Sequence, residues 1–192
     1  MGLILMMGPP GSGKGTQSQK MAQRHPEWKW LSTGDLLRSH MASKTALGIQ
    51  ASKYMLEGCL VPDQLLSDIL WQELQPYQKT YVILDGFPRN MVQTKMLANS
   101  SFPVVTIFRF LISQEQLSQR IAHRAKIEHR KDDEPEKLKV RLEIYKKEMT
   151  DVYDYYQANH PNIFFNIPAE NTEDQVANTI NEILGQHLKI PH

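Results

Sequence analysis

The segment Gly8-Pro-Pro-Gly-Ser-Gly-Lys-Gly-Thr16 follows directly on the apolar run Leu3-Ile-Leu-Met-Met7 and leads into a stretch of helical composition. A strand, a glycine-rich loop and a helix in this order form a phosphate-binding loop. The glycines let backbone N–H groups approach an anion closely, and the helix that follows adds the positive end of its dipole. This segment therefore predicts a phosphate-binding site at the end of the first strand.

Three residues of this segment, Gly8, Gly13 and Lys14, match the spacing G-x-x-x-x-G-K. The Lys14 ammonium can then reach the terminal phosphates of a bound nucleotide. Gly15 stands where the general motif has Ser or Thr, so Thr16 is the nearest hydroxyl and the direct metal ligand stays open. A lone motif of this kind can also be a glycine-rich surface turn, but the segments before and after it favour the phosphate-binding loop.

Length and composition limit the class of protein. The 192 residues suit one domain, and 41% hydrophobic and 22% charged residues with a formal net charge of +1 describe a globular chain without a general attraction to nucleic acid or anionic membrane. Cys59 is the only cysteine, which excludes an intramolecular disulfide and a cysteine-rich zinc site and indicates a reducing compartment. The first apolar run is too short for a membrane span. We expect a cytoplasmic protein.

Strand-like apolar segments near residues 3, 29, 81, 104 and 163 alternate with helical segments. This alternation predicts an α/β protein with a five-stranded parallel sheet, helices on both faces and ligands at the carboxyl ends of the strands. Two capping boxes are predicted to begin helices: Ser113-Gln-Glu-Gln116 and Thr172-Glu-Asp-Gln175.

The helical segments have apolar side chains at three- and four-residue spacing. We expect helices over residues 17–24, 45–56 and 90–98, one that begins at Pro62 and a long one that begins near Pro135. The core contacts expected for the helix over 45–56 are Ala46, Ile49, Tyr54 and Leu56.

Charged residues occur at three further places. The buried-strand pattern Tyr81-Val-Ile-Leu-Asp85 ends in a carboxylate, and beside a phosphate-binding loop an acid in this position usually lies near magnesium. Arg120 and Arg124 are four residues apart, so they project from one face of a helix. Residues 123–133 form the most polar stretch of the chain. In another context we would interpret the acid as a turn cap and the basic residues as solvated charges.

In their order and spacing these motifs resemble those of the adenylate kinases, within the nucleoside monophosphate (NMP) kinase family of P-loop NTPases. The resemblance covers nearly the whole chain and implies a P-loop NTPase fold for residues 1–192 as a single domain. It also implies a helical NMP-binding insert over 33–61 and a short lid over 124–133. The motifs are Gly8 to Gln17, Ser32 to Arg38, Leu60-Val-Pro62, Asp85-Gly-Phe-Pro-Arg89 with Gln93, Arg120 with Arg124, Arg130-Lys-Asp-Asp133, and Arg141.

The resemblance implies a reaction, the reversible Mg²⁺-dependent transfer of the terminal phosphoryl group of ATP to AMP, which gives two ADP. Asp85 would orient the Mg²⁺ ion through water. The catalytic residues would be Lys14, Arg89, Arg124, Arg130 and Arg141. The ATP site would comprise Gly11, Ser12, Gly13, Lys14, Gly15, Thr16, Arg120, Arg124 and Asn171. The AMP site would comprise Thr33, Gly34, Arg38, Leu60, Val61, Gly86, Arg89, Gln93, Arg130 and Arg141.

Two positions bear on the choice of acceptor base. Adenylate kinases have a threonine where Thr33 stands and a glutamine where Gln93 stands, whereas the similar UMP/CMP kinases tend to have alanine and asparagine there. A glutamine amide both donates and accepts, so it can pair with the N6 amine and the N1 atom of adenine. Asn90 also occurs in the pyrimidine kinases, so a UMP/CMP kinase with ATP as donor is the alternative.

The resemblance is closest to the short-lid members, because only five residues separate Arg124 from Arg130. The cysteines that bind zinc in some long lids do not occur in this sequence, so we expect no structural zinc. The resemblance implies a monomer whose partners are nucleotides, not nucleic acid or membrane. A nucleotide-dependent switch would be a different class of protein. Two features argue against it: the chain lacks the N-K-x-D guanine motif, and it keeps the arginines expected for phosphoryl transfer. A nucleic-acid-binding role would need an aromatic and basic surface motif.

Overall fold

The computed structural model of the chain describes residues 1–57, 59–128 and 135–189, with only the backbone of 123–128 and 135–136. Its strands are β1 (Gly2–Met7), β2 (Lys29–Ser32), β3 (Tyr81–Asp85), β4 (Val104–Leu111) and β5 (Phe164–Pro168). They form one sheet in the order β2-β3-β1-β4-β5, and every neighbouring pair is parallel. The predicted five-stranded parallel sheet is confirmed.

Within the described residues, eight α-helices connect the strands and cover the sheet. They are α1 (Lys14–Arg24), α2 (Thr33–Ala42), α3 (Ala46–Met55), α4 (Asp63–Leu74), α5 (Met91–Ala98), α6 (Gln114–Glu128), α7 (Pro135–Asn159) and α8 (Glu173–Leu188). The first helix begins at Lys14, three residues earlier than predicted, because Gly13 is its N-cap and the loop passes directly into the helix.

The core lies on both faces of the sheet. All side chains of the central strand β1 are buried, and alternate residues of a strand point to opposite faces. Leu3 and Leu5 pack with side chains of α4 and α7, whereas Ile4 and Met6 pack with those of α1 and α8. Burial of each such side chain contributes roughly 1.5–3 kcal/mol. This two-sided burial explains why the run that precedes the glycine-rich loop is apolar throughout.

The sheet brings the glycine-rich loop and the end of β3 together. β3 and β4 pair with β1 from opposite sides, so the strand order reverses at β1. In a parallel sheet such a switch point opens a crevice at the carboxyl ends of the strands. The loop begins at this crevice, and the pairing of Met6 with Asp85 sets the carboxylate beside it.

The expected contacts of α3 are wrong. The helix packs against α2 at Gly48, and its two buried residues are Gly48 and Ala51. A Cβ atom at Gly48 would lie 2.1 Å from the carbonyl oxygen of His40, so the close approach of the two helices requires a residue without a side chain. The four residues expected in the contact are all exposed: Ala46, Ile49, Tyr54 and Leu56.

The two predicted capping boxes have different outcomes. Before α8, the N–H of Gln175 donates to Thr172 Oγ1 at 3.3 Å and the N–H of Thr172 donates to Gln175 Oε1 at 3.1 Å, which confirms the box. Before α6, the N–H of Gln116 donates to Ser113 Oγ at 3.4 Å, but the N–H of Ser113 donates to the Glu170 carboxylate at 2.7 Å. A carboxylate is a stronger acceptor than an amide, and this bond ties the start of α6 to the turn after β5.

Candidate active site

The loop after β1 holds one ammonium group close to a helix N-terminus. Gly13 has φ 95°, a left-handed conformation that favours glycine, and it turns the chain directly into α1. The Nζ atom of Lys14 donates to the carbonyl oxygens of Gly8 at 2.8 Å and Pro9 at 2.9 Å. The N–H groups in the first turn of a helix have no partner within that helix. The loop therefore concentrates positive charge where an anion can bind.

Asp85, at the end of β3, lies against the same loop. A Cβ atom at Gly15 would be 3.8 Å from Asp85 Oδ2, so the carboxylate adjoins the position where the general motif has a hydroxyl. Burial raises the pKa of Asp85, and the positive charges of Lys14 and Arg89 act in the opposite direction. Carboxylate oxygen is a ligand type that Mg²⁺ prefers, and the exposed Thr16 lines the same cavity. This donor set fits a magnesium ion beside the loop.

A cavity of about 910 Å³ opens at the carboxyl edge of the sheet. Its volume is in the range of pockets that bind molecules as large as a nucleotide. Arg120 of α6 reaches its wall, where Nη1 donates to the carbonyl oxygen of Ser12 at 3.4 Å. The residues of the predicted ATP site that line it are Gly11, Ser12, Gly13, Lys14, Gly15, Thr16, Arg120 and Asn171.

A smaller pocket adjoins the large cavity on the side of α2 and α5. Members of the predicted AMP site that line this pocket alone are Thr33, Val61 and Gln93. The residues that line both spaces are Gly34, Arg38, Leu60, Arg89 and Arg141. Three of these five are arginines, and a planar guanidinium group makes paired contacts with phosphate oxygens. The border between the two spaces is therefore suited to phosphate.

Two of these arginines are held by nearby acceptors, Arg89 by the turn after β3 and Arg38 by α2. Arg89 Nε donates to the carbonyl oxygen of Gly86 at 2.7 Å, and Thr33 Oγ1 donates to the same oxygen at 3.0 Å. Arg38 Nη2 donates to Asp35 Oδ1 at 2.6 Å. Gly86 has φ 86°, and a Cβ atom there would lie 2.6 Å from Thr33 Oγ1. The turn therefore requires glycine for both its conformation and its close packing.

Gln93 of α5 is 0% exposed and belongs to a network of four residues at the wall of the smaller pocket. Its Nε2 donates to Asp63 Oδ1 at 2.7 Å, and its Oε1 accepts from the N–H of Arg89 at 2.7 Å. Asn90 Nδ2 donates to the same oxygen of Asp63 at 2.9 Å, and Asn90 Oδ1 accepts from the N–H of Gln93 at 2.8 Å. The network joins the first residue of α4 to the start of α5.

Arg141 extends from α7, which is tied to β4 by an aromatic cluster. The hydroxyl group of Tyr145, one turn after Arg141, is hydrogen-bonded to that of Tyr153. The guanidinium group of Arg109, on β4, lies 4.1 Å from the centre of the Tyr153 ring. Burial raises the pKa of Tyr145 to about 12, so its hydroxyl remains protonated at neutral pH. This cluster fixes the segment of α7 from which Arg141 reaches the border.

All predicted site residues whose side chains are described line one of the two spaces. Asp85 and Gly86 line the large cavity, where Lys14 also lies. The side chain of Arg124 and the whole of Arg130 fall outside the described residues, as do residues 129–133 of the predicted lid over 124–133.

The model of the family described as adenylate kinase matches residues 6–161. The chain belongs to the adenylate kinase family. An adenylate kinase of Porphyromonas gingivalis is 34% identical over 97% of both chains. One of Thermus thermophilus is 36% identical over 95% of this chain and 96% of its own length, and one of Stenotrophomonas maltophilia is 40% identical over 80% and 84%. As a member of this family, the chain is a nucleoside monophosphate kinase, a transferase that binds nucleotides.

The described residues of this adenylate kinase family member contain neither a membrane-spanning helix nor a metal-binding cluster of acidic, histidine or cysteine side chains. In the ranges 1–57, 59–128 and 135–189, no helix combines the length and apolar character needed to cross a bilayer. Over the same parts of the chain, His, Cys, Asp and Glu side chains form no group of three or more that could hold a metal ion.

No sequence pattern identifies Asp63 as part of this adenylate kinase site. Asp63 is the first residue of α4, where an acidic side chain is common because it complements the helix dipole, so its position in the sequence indicates no further role. It lies 30 residues before Gln93, and no spacing rule joins the two positions. Asp35 and Tyr145 were missed for the same reason, since each acts through a contact that only the folded chain makes.

Proposed function

We propose that the chain catalyses the reversible Mg²⁺-dependent transfer of the terminal phosphoryl group of ATP to AMP, which gives two ADP. The observation that carries the proposal is the border at which Arg38, Arg89 and Arg141 line both the cavity and the smaller pocket. A phosphoryl group that passes between two nucleotides must cross such a border. Lys14 lines the large cavity, so we assign the donor nucleotide to that cavity and the acceptor to the smaller pocket.

Charge and position are the main obstacles to this reaction. ATP and AMP together bring about six negative charges into one cleft, and their repulsion must be offset while the reacting groups are held in line. The attacking phosphate oxygen is already ionised near neutral pH, so the reaction needs no general base. The guanidinium groups at the border offset the repulsion and hold phosphate oxygens through paired hydrogen bonds.

The proposed roles follow the two sides of the border. Lys14 and the loop N–H groups hold the ATP phosphates, and Arg120 packs against the ATP adenine. Arg38 and Arg89 hold the AMP phosphate. From the resemblance, Arg141 surrounds the transferred group together with Arg124 and Arg130. The insert over 33–61 and the lid over 124–133 close to exclude water, as is established for adenylate kinases.

Magnesium fits beside Asp85, the carboxylate that adjoins the loop. When bound, Mg²⁺ neutralises charge on the ATP phosphates. In this chain, the Asp85 carboxylate would hold the ion through a water molecule. Burial has the larger effect and raises the pKa of that carboxyl group, while the positive charges of Lys14 and Arg89 oppose burial and so favour the ionised form that the role requires.

We also propose a single-domain monomer that acts in the cytoplasm and has nucleotides as its partners, not nucleic acid or membrane. The formal net charge of +1 argues against nucleic acid as a partner, because a nucleic-acid-binding chain usually has an excess of basic residues. Size-exclusion chromatography with light scattering tests the monomer, and a mass of two or more chains contradicts it.

The acceptor assay tests the proposal directly. The purified chain is supplied with ATP, Mg²⁺ and either AMP, CMP or UMP, and the nucleotide products are quantified. We expect two ADP per event with AMP, less product with CMP or UMP, and none when EDTA removes Mg²⁺. A higher kcat/KM for CMP or UMP favours the UMP/CMP kinase instead. A folded preparation that forms no product with any acceptor refutes phosphoryl transfer.

A further inference from the structure

The amide of Gln93 has only one orientation that satisfies both of its partners. Its Nε2 donates to the Asp63 carboxylate at 2.7 Å and its Oε1 accepts from the N–H of Arg89 at 2.7 Å. A carboxylate only accepts hydrogen bonds and a backbone N–H only donates them. If the amide were turned over, its carbonyl would face the carboxylate and its NH₂ group would face the N–H, so both bonds would be lost. The chemistry of the partners therefore fixes the orientation.

Asp63 has anchors other than Gln93. The same carboxylate oxygen accepts from Asn90 Nδ2 at 2.9 Å, while Asn90 Oδ1 caps α5 by accepting from the N–H of Gln93 at 2.8 Å. Asp63 is also the first residue of α4, where the helix dipole favours a negative charge. The carboxylate is thus held in place by α4 and by the start of α5, independently of its bond to Gln93.

We propose that Asp63 is a positioning residue for the choice of acceptor base, because it fixes the direction in which Gln93 presents its amide to the smaller pocket. This inference rests on the proposed function, and on the resemblance to adenylate kinases, by which Gln93 meets the base of the acceptor. An amide oxygen can accept two hydrogen bonds and an amide NH₂ can donate two. Each end of Gln93 uses one within the protein, which leaves one acceptor and one donor in a fixed order for the base.

The fixed order favours one pattern of base edge over its inverse. Adenine offers an amine donor at N6 and an acceptor at N1, which pair with the carbonyl and the NH₂ group of Gln93. Hypoxanthine has nearly the same shape but offers an acceptor at O6 and a donor at N1. IMP could therefore bind with both hydrogen bonds only if the Gln93 amide turned over and lost Asp63 and Arg89 as partners. AMP and IMP are thus matched probes of the amide orientation.

The experiment compares kcat and KM for AMP and for IMP in the wild-type chain and in Asp63→Asn. Asparagine has one donor end and one acceptor end, so it can satisfy either orientation of Gln93 at nearly constant volume. We expect the ratio of kcat/KM for AMP to that for IMP to fall by about tenfold, the effect of one hydrogen bond. The change should lie mainly in KM, with kcat for AMP preserved, because Asp63 does not touch the transferred group.

The matched control is Asp68→Asn, which removes the same charge from an exposed position of α4, where Asp68 accepts from Gln64 Nε2 at 2.7 Å. Its AMP to IMP ratio should equal that of the wild type. Thermal unfolding of each variant checks that the fold is retained. If Asp63→Asn does not fold, Asp63→Ser serves as the second variant, since a hydroxyl also donates or accepts.

The outcomes separate this inference from the proposed function. A folded Asp63 variant that keeps the wild-type ratio, or that loses activity equally with AMP and IMP, overturns the positioning role even if AMP is the preferred acceptor. A wild-type chain that does not phosphorylate AMP overturns the proposed function, and that result is known before any variant is compared.

Discussion

The proposed donor side and the proposed acceptor side of the cleft are built in different ways. On the donor side, one continuous segment provides β1, the loop and the start of α1, and Lys14 bonds to carbonyl oxygens only six and five residues before it. On the acceptor side, Gln93 bonds to Asp63 across 30 residues and Thr33 bonds to Gly86 across 53. The phosphate-binding loop of the donor side depends mainly on local chain geometry, although Arg120 also reaches it from α6, whereas the Gln93 amide of the acceptor side depends on the packing of separate helices.

The difference follows from what each side must recognise. Phosphate is bound by backbone N–H groups, which every residue except proline provides, so a short loop of the right conformation suffices. A base is selected by the order of its donors and acceptors, which requires a side-chain amide held in one orientation. That orientation needs support from elsewhere in the chain. Variants on each side should therefore differ in what they damage.

The largest effect is expected for Arg89→Ala, which removes a guanidinium group from the border of the two sides. In the proposed function Arg89 holds the attacking AMP phosphate at the border that the phosphoryl group crosses, and an arginine that stabilises such a transfer contributes on the order of 10³ to 10⁵ in rate. We therefore expect a loss of at least about 10³ in turnover with little change in stability. The resemblance predicts a similar loss for Arg130→Ala. Steady-state kinetics and thermal unfolding measure both quantities. Arg24→Ala, at the exposed end of α1, is the control, and near-normal turnover in a folded Arg89 variant would make the assigned role wrong.

Lys14→Ala should damage the donor side alone. We expect turnover to fall by about 10²- to 10³-fold and ATP binding to weaken, because the variant loses the Lys14 ammonium group, a preorganised hydrogen-bond donor to the ATP phosphates. AMP binding, measured by calorimetry without ATP, should change by less than about twofold, the range of an indirect effect. Lys20→Ala on the same helix is the matched control, since Lys20 pairs with Asp174 on α8. A comparable loss of AMP affinity would contradict the separation of the two sides.

Asp85→Asn should lower activity and raise stability. Turnover should fall by about 10- to 100-fold, as for the loss of an outer-sphere metal partner. Burial raises the pKa of Asp85 above its unfolded value, so ionisation destabilises the folded state, and this cost is present above the unfolded pKa and absent below it. The variant should therefore have the higher Tm at pH 7, and the difference should disappear as the pH falls below the usual carboxyl range. A variant with the lower Tm at pH 7 would show that Lys14 and Arg89 outweigh the burial.

The smallest effect is expected for Gly86→Ala, which tests the packing of the acceptor side. A left-handed φ of 86° and a Cβ atom 2.6 Å from Thr33 Oγ1 should cost about 1–3 kcal/mol in the free energy of unfolding. Gly34→Ala is the control, because its Cβ atom would meet only the flexible end of Arg38 at 3.2 Å. Denaturant unfolding measures both variants, and equal stabilities would rule out strain at the turn.

Elements that depend on neighbouring residues are predictable from the sequence, and contacts between distant residues are not. The strands were predictable because a buried parallel strand is apolar along its length, as β1 is. The contacts of α3 were not, because the helix packs through Gly48 and Ala51, and no count of apolar residues reveals that small residues form a contact. At α6 the predicted cap was replaced in part by Glu170, an acceptor 57 residues from Ser113.

By itself, the sequence determined the sheet, the phosphate-binding loop and the likeness to adenylate kinases, because these depend on residues that are neighbours in the chain or on the periodicity of single elements. Only the tertiary structure decided that Arg38, Arg89 and Arg141 meet at one border and that Asp63 fixes the orientation of Gln93. A hydrogen bond depends on the distance between two atoms in space. For residues far apart in the chain, that distance is set by how the helices pack on the sheet and not by their spacing in sequence.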